Sequence, residues 1–211
     1  MRFKIQERYT ADDRMFLIVE IIITFICMFI PLILFLVDGE VKSSISAYVD
    51  MDDSYIFGLL FGIAGMTFLL NGALYFKVEN DEKRMPQIKS QSSLSNSIYD
   101  KKRIGKWYNV VFGISLIGIA VFHYSRTTFS EYMHIGFALI FFVGSAIVIF
   151  FIHDPEDKWK SRILAIISVV CLAISYFTDG TFMSLFWAET IALIIIAIHY
   201  ILESYRICLD F

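Results

Sequence analysis

Residues 15–37 read MFLIVEIIITFICMFIPLILFLV, an apolar run interrupted by one acid, Glu20, and by no base. A helix of that length reaches about 35 Å at 1.5 Å per residue, enough to cross a hydrocarbon core of roughly 30 Å. Arg2, Lys4, Arg8 and Arg14 precede the run, as basic residues precede a signal peptide. The run is too long for a signal h-region of about 7–15 residues, so we expect a retained first span. Pro31 lies inside it and predicts a kink, because proline removes the bond to the carbonyl near Cys27.

Five further stretches have the same character: 55–76, 107–125, 133–152, 163–177 and 183–202. The stretch 163–177 is short by the roughly 20-residue rule and needs flanking residues to span, or a thinner bilayer. Between the stretches the bases alternate. Four precede the first span, eight lie from Lys77 to Lys106, three from Lys158 to Arg162, and Arg206 lies in the tail; only Lys42 and Arg126 fall in the other connections. Cytoplasmic loops carry such an excess of Lys and Arg, so the expectation is six spans with both ends inside. Tyr55, Trp107, Tyr108, Tyr124, Tyr132, Tyr200 and Tyr205 fall near span ends, as an interfacial aromatic belt requires.

Composition points the same way. Hydrophobic residues make up 57% and aromatics 17% of the chain, and the mean hydropathy is +0.66. Soluble domains run at roughly 45–50% apolar, so lipid is the solvent for most of this surface. No basic stripe lies outside the segments flanking the membrane, which argues against a nucleic-acid partner. Cys27, Cys171 and Cys208 fall in spans or the inner tail and read as small buried side chains, with no disulfide framework and no cofactor implied.

The fold class is therefore all-α: a polytopic bundle of six transmembrane helices, read as one transmembrane domain over 1–211 without internal repeats. The loop 77–106, with Pro86 and a serine-rich run from Ser90 to Ser97, reads as a flexible cytoplasmic tether whose basic end can touch anionic lipid.

Contacts inside a membrane bundle collect small and polar residues. Gly58, Gly62, Gly65 and Gly72 share one stripe of the second span, where a neighbouring helix is expected to press closely, with self-association through Gly58 and Gly62 the lesser reading. By the same spacing Asn109, Gly113, Leu116, Ala120 and His123 line up in the third span. His134, Ala138, Phe141 and Ser145 do so in the fourth, and Glu189, Ala192, Ile196 and His199 in the sixth.

An acid within hydrocarbon costs several kcal/mol unless paired or neutralised. Glu189 is such an acid, about 9 Å below the outer end of its span. Helix direction brings His123 and His134 to the same level, and the loop before the second span adds Ser44, Ser46, Tyr48 and Asp50. Three readings compete: a closed hydrogen-bond network, a pocket open to the outside for a lipid or small ligand, and a His123, His134, Glu189 metal set with Ser46 or Asp50 activating water. No HExxH or GxSxG motif supports the third. Ser46, Tyr48, Asp50, His123, His134 and Glu189 are the candidate ligand-binding residues. Glu20 and Asn71 can face each other near the inner ends of the first two spans, or Glu20 can reach toward Arg14. A proton or ion path between the two acids is the remotest option. The acidic Asp50–Asp53 stretch lacks the glycine and terminal glutamate of a calcium loop.

Ser44-Ile45-Ser46-Ala47-Tyr48, Phe57-Gly58 with Gly65 and Gly72, Met133-His134 and Phe186-Trp187-Ala188-Glu189 together resemble an uncharacterised bacterial six-span family with SISAYY, IH and FWLE motifs. Val49, Met133 and Ala188 depart from that pattern. A more distant likeness is to Frag/DRAM-type six-span proteins, or to ceramidase and progestin-receptor-like hydrolases, whose seventh span is missing here. The resemblance implies a multi-pass protein of the bacterial inner membrane and adds weight to Ser46, Tyr48, His134 and Glu189, without supplying an activity. The expected function is binding of a lipid, a small ligand or a partner membrane protein through an outward pocket. A metal-dependent lipid hydrolase and an ion or proton conductor are the alternatives, and self-association is open.

Overall fold

The computed structural model describes residues 11–84, 108–124, 127–151 and 158–209. Among them are seven α-helices and one 3-10 helix, with no strand: α1 Ala11–Cys27, α2 Ile30–Asp38, the 3-10 helix Ser46–Asp50, α3 Ser54–Arg84, α4 Tyr108–Val121, α5 Thr128–Phe151, α6 Lys158–Phe177 and α7 Leu185–Leu209.

The first apolar run breaks where proline dictates. Pro31 sits in the first turn of α2, where a missing N–H costs least, and α1 and α2 meet at 44°. Phe29 N–H donates to Ile26 O (3.0 Å) and Ile33 N–H to Phe29 O (2.8 Å), so the break is stitched locally. Gly39, at φ +81°, then ends α2 in the left-handed conformation and returns its N–H to Phe35 O.

Two expected boundaries move. The loop placed from Lys77 onward begins later, because α3 continues through Arg84: Glu79, Asp81, Glu82, Lys83 and Arg84 can extend a helix already nucleated in the apolar segment. Its serine-rich remainder, the Trp107 end of the third stretch, Arg126 and His153 lie outside the described residues. The short stretch 163–177 does borrow flanking residues, and α6 reaches spanning length over Trp159–Phe177. Ser54–Ala73, Thr128–Phe151 and Leu185–Leu202 are also long and apolar enough to cross a membrane, and the bent α1–α2 pair makes a fifth candidate. Tyr108–Val121 is apolar but shorter.

The helices pack as a ring, α1 against α3, α3 against α4, α4 against α5, α5 against α6, α6 against α7, and α7 back against α1; α5 also touches α7 across the middle. Large apolar side chains such as Ile22, Phe25, Leu59, Leu139, Ile147 and Ile166 are exposed. An all-α chain that turns such residues outward over helices of spanning length has the makeup of a multi-pass membrane protein.

Glycine lets two backbones of the ring meet. A Cβ on Gly113 would stand 2.6 Å from Gly65 O and 3.0 Å from Leu69 N, so α3 and α4 touch through their backbones. Gly72 meets Val110 in the same seam. The expected stripe holds only in this half. Gly58 and Gly62 have nothing within 4 Å of a built Cβ, because at this end Phe57, Phe61 and Ala64 are the residues turned into the bundle and Gly58 is exposed, and close intrachain packing through these two glycines is corrected.

Candidate functional site

Two polar centres lie at different levels of the bundle. The first gathers the segment between α2 and α3 over the start of α7. Glu189, in the first turns of α7, is buried and accepts the N–H of Ile45 at 2.7 Å. Phe186 N–H donates to Ser43 O at 2.9 Å, so α7 clasps one short stretch of loop through both side chain and backbone. Tyr48 is wholly buried beside Phe186, their rings 6.0 Å apart, and its hydroxyl donates to Glu40 O at 2.8 Å. Ser44 and Ser46 bond each other through their hydroxyls at 3.0 Å, and Ala47 N–H donates to Ser44 Oγ. This region is a closed cap: the buried carboxylate, the phenol and the two serines spend their hydrogen bonds on the loop itself.

Burial pushes the Tyr48 phenol above the usual 10.0. The hydrogen bond that Lys42 donates to Asp38, 3.0 Å away, raises the Lys42 ammonium above 10.5. Both folded values lie above the unfolded ones, so the contribution of each group is intact below about pH 10 and is lost as pH rises through the folded value. Through these two groups the cap should loosen in alkali. Ultraviolet difference titration of wild type against Tyr48→Phe should show Tyr48 ionising later than a free tyrosine; ionisation at the free value would mean that the cap is open.

The histidines belong elsewhere. His134 is buried on α5 with Nδ1 at 2.7 Å from Phe122 O. A carbonyl only accepts, so Nδ1 donates, satisfying a carbonyl left over at the end of α4. Ser130 Oγ donates to His123 O at 2.7 Å in the same connection. Among the described residues no group of three His, Cys, Asp or Glu side chains could hold a metal ion. The His123, His134, Glu189 set is thus not assembled, because Glu189 is committed to the Ile45 amide and His134 to the α4–α5 turn. Of the six candidate residues, the cap unites Glu189, Tyr48 and Ser46; Asp50 is exposed on its rim, and His123 and His134 tie the neighbouring connection.

The second centre lies about 17 residues further along α3, roughly 25 Å from its start. Asn71 Nδ2 donates to Glu20 Oε2 at 2.9 Å, and Asn109 Nδ2 donates to Asn71 Oδ1 at 2.8 Å. All three residues are buried, Asn109 to 1% exposure. Glu20 thus turns into the bundle and meets Asn71. Asn109 Oδ1 and, on α5, Ser145 Oγ are buried and make no hydrogen bond among the described residues. Both residues line one small cavity, with Phe68, Tyr108, Phe112 and Tyr200 among its aromatic walls and His199 beside them. Its free volume is about 10 Å³, near the least that holds a water molecule. Sequence spacing had placed Asn109, Ser145 and His199 on inward stripes; it had not joined them, since nothing in a one-dimensional pattern says which stripes share a level.

These features define an all-α protein with helices of membrane-spanning length, a closed cap at one level and, at another, a buried polar chain beside a small, largely apolar cavity. The chain belongs to the Family of unknown function (DUF7103), whose model matches residues 29–204. Membership agrees with the expected uncharacterised family. No curated protein and no solved structure matches the chain.

Proposed function

We propose that this is a six-span protein of the bacterial inner membrane, both ends cytoplasmic, that binds a small polar ligand within the bundle. The alternation of basic residues supports the topology. The ring supports the count, because α4, flanked by spanning helices on both sides, takes the place of a span although its described part is only 14 residues. With that orientation the cap faces outward and the cavity lies in the cytoplasmic half. The earlier idea of an outward pocket gives way to this inner one, since the cap consumes its own polar groups.

One observation carries the binding reading: two buried polar atoms from different helices, Asn109 Oδ1 and Ser145 Oγ, make no hydrogen bond among the described residues, and both residues border one small, largely apolar cavity. A buried polar atom left unsatisfied costs about 1–3 kcal/mol, so a bound species that bonds both is favoured. The sign of one substitution tests this. With a ligand bonded to it, Ser145→Ala should lower stability by about 1 kcal/mol; around a dry cavity the same change would remove an unsatisfied hydroxyl and raise stability. A high-resolution experimental map should also hold density beside both atoms, and a dry void there would overturn the reading.

The chain Glu20–Asn71–Asn109 favours a second reading, conduction of a proton or ion along a polar layer. Proton or cation flux in proteoliposomes, lost in Asn71→Leu, is its expected signature.

A further inference from the structure

The seam between α5 and α6 ends in a patch that is both basic and aromatic. Lys158, Lys160 and Arg162 put three bases within five residues at the start of α6. The Arg162 guanidinium lies over the Phe150 ring of α5, 5.4 Å from its centre, and Phe150 in turn meets Phe151 edge to face. The ring attracts the positive charge but offers no lone pair, so the N–H donors of the guanidinium still call for oxygen. Among the described residues no carboxylate pairs with Arg162. Asp154, Glu156 and Asp157 precede it in the sequence and lie outside the described residues.

Beyond this charge the surface is apolar. Trp159, Ile163, Ile166 and Val170 follow at intervals of four, three and four, which puts them on one stripe of α6, and all four are exposed, Trp159 to 75%. Arg162 is exposed at the head of that stripe, which runs about 12 Å further to Val170 at 1.5 Å per residue. On the adjoining helix α5, Ile147 and Phe151 are exposed one turn apart.

An occupant of this surface has to be anionic at one end and apolar along the rest. A phospholipid of net negative charge meets both demands, because its phosphodiester oxygens accept paired N–H bonds from a guanidinium while its acyl chains lie along the isoleucines. A zwitterionic headgroup would bring its own ammonium toward three bases. In the proposed topology α6 begins at the cytoplasmic face, where anionic headgroups draw membrane-flanking bases and an interfacial tryptophan sits at headgroup level. We propose that the α5–α6 seam binds an anionic phospholipid, with Arg162 on the phosphodiester group and Phe150 as the positioning residue that holds Arg162 there.

Full-chain protein that keeps Trp159 as its one indole, through Trp107→Phe and Trp187→Phe, is placed in nanodiscs containing acyl-brominated phosphatidylglycerol or acyl-brominated phosphatidylcholine at equal mole fraction. Bromine quenches an indole that it touches, so Trp159 fluorescence reads occupancy. Phosphatidylglycerol should bind about fivefold more tightly. Arg162→Gln, at an exposed position, should fold normally and bring the two lipids to equal binding. Phe150→Leu keeps the charge and should weaken the preference about twofold. Retention of the two lipids by the wild-type chain in native mass spectrometry gives the same comparison without tryptophan changes. Equal binding of the two lipids by the parent protein, as when neighbouring acids neutralise the bases, would overturn the site. So would a preference kept in full by Arg162→Gln. Quenching by neither lipid would mean that a second copy or another protein covers this face, and would overturn it as well. An undiminished preference in Phe150→Leu would overturn the role of Phe150. Both leaflets of the nanodisc carry the same lipid, so the result does not depend on the direction of threading, and no outcome bears on the cavity.

Discussion

Gly113→Val is expected to lower the melting temperature of the detergent-solubilised protein by roughly 10 °C, or to prevent its accumulation in the membrane. The Cβ of any larger residue at 113 would lie 2.6 Å from Gly65 O and 2.7 Å from Leu69 Cγ. The first is backbone and cannot swing aside. Relief requires α3 and α4 to separate along their whole seam, where Gly72 and Val110 are equally close. Overpacking of a tight interior costs about 1–3 kcal/mol and more when backbone must move, and each kcal/mol lowers the midpoint by about 2–4 °C at this chain length. Gly58→Ala and Gly62→Ala serve as controls. A Cβ at either position meets nothing within 4 Å, so the helix preference of alanine should leave stability unchanged or raise it by up to about 1 kcal/mol. Thermal unfolding of the three variants decides the matter; equal losses at 58 and 113 would mean that the α3–α4 seam is drawn wrongly.

Glu189→Leu should have the second largest effect, about 2–3 kcal/mol of stability, with the cap released from α7. Leucine leaves the Ile45 N–H buried and without its acceptor, and it gains little packing in return. Glu189→Gln keeps an oxygen where the carboxylate oxygen stands 2.7 Å from Ile45 N. It should therefore retain most of the stability while giving up the charge-assisted part of the bond. Hydrogen exchange of residues 43–48, compared with the thermal midpoint, separates local release from global unfolding. Protection unchanged in Glu189→Leu would remove the clasp as the reason for an acid in this position. The pair also distinguishes a structural carboxylate from a reactive one, since only the former tolerates glutamine.

How much of this was legible beforehand depends on the range of the interaction. The kink at Pro31 was, because proline acts on the carbonyl four residues back. The inward placement of Asn109, Ser145, Ile196 and His199 was also legible, because small and polar residues recur at helical spacing on one side. The histidines were misassigned for a physical reason. His134 is buried, but a ring that can reach an orphan carbonyl at the end of the preceding helix does so, and that carbonyl carries no mark in the sequence. Glu189 presents the same lesson. Its need for a partner was plain from the cost of burying an acid, yet the partner is a main-chain N–H 144 residues earlier, which residue type cannot reveal.

Apolar run length and the spacing of small and polar residues were enough to establish helices of spanning length and most of their inward faces, Gly58 and Gly62 excepted, because those properties depend only on transfer to lipid and on the 3.6-residue repeat. The partners of those faces were decided by three-dimensional packing alone. The backbone contact of Gly65 with Gly113 sets the register of α3 against α4, and that register carries Asn71 to Asn109 and the Glu20 chain to the edge of the cavity. A hydrogen bond reaches only about 3 Å, so which polar groups meet is a matter of helix register, and register exists only once the helices have packed.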